Sequence, residues 1–324
     1  MILSLPVTQF LMKRVISIAI VFLVCFFDKN NCVAQNIQTI YLNQKDSLSN
    51  FYIIVSPEKL PIKSFMFLIP SFNEAPQNVL LQTDIPKIAA KKGILTIIPT
   101  FKTGSESLGI DNATQNSFKE IFTDAVKLKN LSGLKFYLGG FSIGGSSAIK
   151  FAENAFLENA AVKPSAVFAI DPPLDFERFY RAAKRNIRLS KNTQPNEEAV
   201  YFVNRIKKET GGTPENNIKN YYRLSPYSFN DTAQTAIKNL VSVPLRLYSE
   251  PDIDWWLKER GTDYYGMNVF DQSAMINELN KLGNNKATLV VTLNKGYRKP
   301  NNHRHPHSWS IAEPNELIAW LLAQ

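Results

Sequence analysis

Cysteine and histidine are the scarce residues of this 324-residue chain. Its two cysteines, Cys25 and Cys32, both fall within the first 32 residues. Beyond them no disulfide, thiolate nucleophile or thiolate metal ligand can form. The only three histidines, His303, His305 and His307, sit together near the C terminus, so any imidazole chemistry must use that one stretch. Low-complexity tracts and internal repeats are lacking as well. The net charge is +9, but no Lys/Arg cluster interleaved with aromatics forms a nucleic-acid stripe, and no nucleic-acid partner is expected.

What is present begins with a leader. Lys13 and Arg14 precede an apolar run over 15–27, and a polar stretch then leads to Cys32-Val33-Ala34. Basic start, apolar centre and small-residue exit are the parts of a secretory signal peptide, expected over 1–34 with cleavage after Ala34. The apolar run is about 13 residues, against roughly 20 for a membrane-spanning helix, so no stable membrane insertion is expected after processing. An exported protein without cysteine fits a bacterial periplasm or cell surface.

The remainder alternates strand-like and helix-like segments. Strands are expected at 37–42, 51–55, 65–69, 95–99, 135–138, 167–170, 244–248 and 287–293. Helices are expected at 84–92, from Ser117 onward (Ser117 and Glu120 have capping-box spacing), and at 143–157, 271–282 and 314–323. This order predicts an α/β class chain, with a mostly parallel central sheet and helices on both faces. The segment 176–240 breaks the rhythm with 65 residues where one short helix would serve. It carries 12 Lys/Arg against 6 Asp/Glu and many aromatics. Insertions of that length are usually functional caps, and a helical cap is expected here, within one domain over 35–324.

The chemical signal is Leu138-Gly139-Gly140-Phe141-Ser142-Ile143-Gly144-Gly145-Ser146-Ser147-Ala148. It contains G-x-S-x-G between an apolar strand and an apolar-periodic helix. That setting makes Ser142 a nucleophile on a sharp turn, at the positive end of a helix dipole. A serine needs a base, which the 303–307 loop supplies. His307 is the first choice, because Ser308-Trp309 lead into the last helix; His305 is second. Three clustered imidazoles also allow a metal site, but no acid or cysteine lies among them. An orienting acid is expected from Glu250-Pro251-Asp252-Ile253-Asp254 at a strand's carboxyl end, with Asp252 preferred and Glu250, Asp254 and Asp171 as alternatives.

With the order Ser142, Asp252, His307, the chain resembles an α/β-hydrolase-fold protein over most of 51–324, on the elbow, on Glu250-Pro251-Asp252-Ile253-Asp254-Trp255-Trp256 and on His305-Pro306-His307-Ser308-Trp309. The resemblance implies an oxyanion hole made by the Ile143 N–H and a donor from Pro70-Ser71-Phe72-Asn73, at Ser71 or Phe72. The His-Gly-Gly form of that second loop is absent. It also implies a cofactor-free serine hydrolase acting through an acyl-enzyme on a small-molecule or polymer-borne carboxylic ester. Peptidase, amidase and acyltransferase chemistry use the same parts, and a catalytically silent binding protein is the alternative of another class.

Overall fold

The structure, a computed structural model, describes residues 36–43, 45–46, 48–190 and 197–324; the expected leader at 1–34 lies outside them. Eight strands form one sheet: β1 (Asn36–Tyr41), β2 (Phe51–Ser56), β3 (Ser64–Ile69), β4 (Ile94–Thr100), β5 (Lys135–Phe141), β6 (Ala166–Ile170), β7 (Leu245–Ser249) and β8 (Ala287–Val291). Their spatial order is β1-β2-β4-β3-β5-β6-β7-β8. β2 pairs antiparallel with β1 and β4, and from β4 to β8 the pairing is parallel. Parallel strands need covered faces, which explains why β3, β4 and β6 are buried along their whole length.

The helices supply that cover: α1 (Pro76–Gln82), α2 (Ile85–Lys91), α3 (Asn112–Leu128), α4 (Ile143–Leu157), α5 (Phe176–Leu189), α6 (Glu197–Thr210), α7 (Pro214–Leu224), α8 (Ile253–Arg260), α9 (Val269–Lys281) and α10 (Pro314–Leu322). Side chains alternate across a strand. Phe65, Phe67 and Ile69 of β3 therefore join one core with Phe118 of α3, Ile149 of α4 and Leu279 of α9. Met66 and Leu68 join the opposite core with Ile85 of α2, Trp309 and Leu317 of α10. The mostly parallel sheet with helices on both faces matches the sequence expectation.

One helix begins elsewhere than expected. α3 starts at Asn112, five residues before Ser117, because Asp111 caps it: its carboxylate accepts from the Ala113 and Thr114 N–H groups at 2.9 and 3.1 Å. Ser117 lies inside the helix, and its hydroxyl accepts the Lys102 N–H at 2.8 Å. The expectation fails because an aspartate cap outside the apolar stripe leaves no periodic signal.

The insertion contributes α5, α6 and α7. These helices have their own apolar cluster, in which Phe176, Tyr180, Phe202, Ile206, Tyr221 and Leu224 meet Leu108, Ile110 and Ile143 of the main body. α5 leaves the carboxyl end of β6, the edge where the elbow also sits.

Candidate active site

β5 ends in Gly139-Gly140-Phe141, and α4 starts at Ile143, so Ser142 is the single residue of the turn. Its backbone has φ 53° and ψ −125°, strained for a residue with a side chain. Neighbouring backbone must therefore come very close. A Cβ at Gly140 would lie 2.5 Å from the Gly144 carbonyl carbon, and one at Gly144 would collide with the Ile69 and Pro70 carbonyl oxygens. Those contacts are the physical reason for glycine two residues either side of the serine. The Ser142 N–H donates to the Ile170 oxygen at 2.8 Å, pinning the turn to β6.

His307 lies on the loop after β10 (His303–Arg304), which pairs with β9 (Tyr297–Arg298) in a small hairpin. Its Nδ1 is 2.7 Å from Asp171 Oδ2. Nδ1 is thus placed to donate to the carboxylate, and in the neutral imidazole Nε2 is then the acceptor. The imidazole packs against Phe141, the residue before Ser142, at 4.6 Å between ring centres. Ser142 and His307 line one cavity of about 250 Å³.

The acid is where the structure departs from the sequence expectation. Asp252 does not approach His307; it caps α8, accepting the Trp255 N–H at 3.1 Å, and pairs with Arg304 at 2.6 Å. Glu250 also holds Arg304, at 2.7 Å, and accepts the Lys295 and Gly296 N–H groups. Asp254 is exposed in the first turn of α8. Thus Asp252 and Glu250 anchor the histidine loop through Arg304, three residues before His307. Asp171, directly after β6, is the acid on His307. It is buried, with φ 46°, and its Oδ1 accepts from Ser249 Oγ at 3.1 Å and Gln272 Nε2 at 3.0 Å. The signal for it was Asp171-Pro172-Pro173 at the end of the strand beside the elbow strand.

His305 is buried and packs against Trp255 with tilted rings, 4.6 Å between ring centres. Its Nδ1 accepts the His307 N–H at 3.2 Å. Burial, and then the nearby Arg298 charge, hold its pKa down to about 2, so it stays neutral. It positions the His307 backbone. His303 lies in the hairpin, exposed. The three imidazoles do not converge, and among the described residues no group of three or more His, Cys, Asp or Glu could hold a metal ion.

The oxyanion-loop expectations divide. The Ser71 N–H is engaged by Glu74 Oε2 at 2.8 Å, which removes Ser71 as a donor. Asn73 likewise donates to the Ser105 oxygen. The Phe72 N–H remains on that loop, and the Ile143 N–H stands at the start of α4.

No family model and no curated protein matches the chain. Solved structures do. Carboxyl esterase 2 of the fungus Tuber melanosporum is 10% identical, with a TM-score of 0.55 over 89% of this chain and 83% of that one. An S-formylglutathione hydrolase from Agrobacterium tumefaciens is 10% identical, with a TM-score of 0.53 over 89% and 94%. Acylaminoacyl peptidase from Pyrococcus horikoshii is 10% identical, with a TM-score of 0.52; the match covers 84% of this chain but only 38% of that longer one. Identities this low speak to fold, and the fold they share with this chain is the α/β-hydrolase fold.

Proposed function

We propose that the protein is a serine hydrolase of carboxylic esters, with Ser142 as nucleophile, His307 as general base and Asp171 as the acid that orients it. The observation that carries this reading is the 2.7 Å Asp171–His307 bond, beside a serine on a strained strand-to-helix turn facing the same cavity. Ser142 Oγ attacks the carbonyl carbon while His307 Nε2 takes its proton. The resulting oxyanion is met by the Ile143 N–H and, on this reading, the Phe72 N–H. His307 then protonates the leaving alcohol, and water attacks the acyl-enzyme by the same route. An ester substrate, small or borne on a polymer, is favoured by the fold neighbours named as esterases. The chain is proposed to act after export. Among the described residues no helix is long and apolar enough to cross a membrane.

A fluorophosphonate probe tests the reading. It should label wild-type protein at Ser142 and leave Ser142→Ala unlabelled. A folded wild type that never reacts would refute it in favour of a binding protein.

A further inference from the structure

The cavity has an asymmetric wall. Phe179, Phe202 and Trp256 give it an apolar side, while Arg260 and Arg298 both face it. Arg298 stands on β9 and donates from Nη2 to the His307 oxygen at 3.0 Å. Arg260 ends α8 and is paired with Glu198 on the cap helix α6. Glu198 is the only acidic side chain lining this cavity among the described residues, so the wall holds two guanidiniums against one carboxylate.

We infer that this cavity selects an ester carrying a carboxylate, which Arg298 and Arg260 bind in place of the Glu198 side chain. The inference rests on the reading of this cavity as the substrate site. It gives the Arg260–Glu198 pair a role: Glu198 fills the position a substrate anion would take. Guanidinium suits that task because its planar fork matches a carboxylate and it is always charged. The site already feels the excess charge. Burial, and then Arg260, lower the pKa of Arg298, while His305 is held down by burial, then by Arg298, with His307 and Arg260 adding to it. The positive charge comes from the main body. The cap arginines Arg178, Arg181, Arg185 and Arg205 are spent on Asp271, Glu177 and Glu215, Asp263, and Glu209.

The test uses 4-phenylbutyrate and its neutral amide, titrated calorimetrically into the Ser142→Ala protein at low salt. The carboxylate should bind about tenfold or more tightly than the amide, in line with a charge-assisted bidentate contact. Glu198→Gln should tighten the carboxylate by removing its internal competitor, and Arg260→Gln should weaken it. Both residues are exposed and outside the proposed catalytic set, so these variants keep the test sound even if Arg298→Gln disturbs the His307 loop. Equal binding of the two ligands, or no response to either Arg260→Gln or Glu198→Gln, would overturn the inference. Because the readout is binding, the two ideas fail separately. Absence of fluorophosphonate labelling with the carboxylate preference intact defeats the hydrolase reading alone. Labelling with no preference defeats the anion site alone.

Discussion

The elbow and the cap both line one cavity and are built by different physics. Around the elbow, position is set by backbone against backbone: Gly140 and Gly144 leave no room for a Cβ, and the Ser142 and Asp171 N–H groups are tied to the ends of β6 and β7. The cap has a small aromatic cluster that packs on Leu108, Ile110 and Ile143 of the main body, and buried charges add to that contact. Arg178 of α5 is fully buried against Asp271 of α9 at 2.5 Å. Lys150 of α4 reaches the Arg223 oxygen at the end of α7 while paired with Glu153 at 2.9 Å. Close-packed backbone tolerates almost no displacement, which suits groups that must be held to fractions of an ångström. The cap is held by side-chain packing and ion pairs instead, which adjust more readily than packed backbone.

The comparison predicts its largest effects at the proposed catalytic residues. Ser142→Ala should lower ester turnover by about 10⁶, and Asp171→Asn by about 10⁴ through the wrong imidazole tautomer, with the fold retained. Asp252→Asn should cost far less, because that side chain reaches His307 only through Arg304. Steady-state kinetics on a p-nitrophenyl ester decides it. If Asp252→Asn proves the more damaging change, the assignment of Asp171 is wrong.

Next come the tight places of the elbow and the buried anchors of the cap. Gly144→Ala should destabilise the whole domain by more than ~4 kcal/mol, since the collision is with main-chain oxygens that cannot step aside. Arg178→Met should cost about 3–5 kcal/mol, because it leaves Asp271 buried and unpaired. If the cap is a separable unit, denaturation of Arg178→Met monitored at cap aromatics should precede loss of the sheet, whereas Gly144→Ala should lose both together. Coincident transitions in both variants would show that cap and sheet fold as one.

The buried cap-side acids also give stability a pH dependence. Burial, and then the Asp271 charge, raise the Asp175 pKa to about 7, and burial raises that of Glu153 to about 7 despite Lys150. A carboxyl whose folded pKa is raised stabilises the fold most when both states are protonated, below the unfolded values. That contribution is lost as pH climbs through the folded value. Between about pH 4 and pH 7 each raised carboxyl therefore lowers the urea midpoint as pH climbs, while His305, with its pKa held down, acts in the opposite direction up to its unfolded value. The Lys150→Met/Glu153→Leu double variant should flatten the slope. A slope unchanged in the double variant would show that Glu153 does not contribute.

The strands and the elbow were legible because their signals are local: short apolar runs, and a serine flanked by glycines where a strand meets a helix. The acid was harder to read. Three carboxylates crowd 250–254, and they mark a busy loop, but their work is capping α8 and holding Arg304. Asp171 stands alone, and its meaning depends on β6 lying next to β5, a fact of sheet order. Arg260 and Arg298 are 38 residues apart in sequence. The excess charge of 176–240 drew attention to the cap, yet its arginines turn largely to partners, and the cations facing the serine lie elsewhere.

The smallest effect separates cap charges that anchor from those that merely face water. Arg181 bridges Glu177 and Glu215 at 2.9 and 3.0 Å, an arrangement that looks as substantial as the Arg178–Asp271 pair. But the Arg181 side chain is 43% exposed and Glu215 is 61% exposed, against 3% and 0% for Arg178 and Asp271. In water two such charges attract weakly, and holding two long side chains in one geometry costs conformational freedom, so exposed pairs measure about 0.2–1 kcal/mol. Arg181→Gln should thus shift the urea midpoint by little, and that little should vanish at high salt, where the screening length falls to about 3 Å. The Arg178→Met deficit should persist in the same salt, because no ions enter to screen it. A salt-insensitive loss of more than ~2 kcal/mol in Arg181→Gln, well above the range for exposed pairs, would mean that Arg181 is an anchor of the cap in its own right.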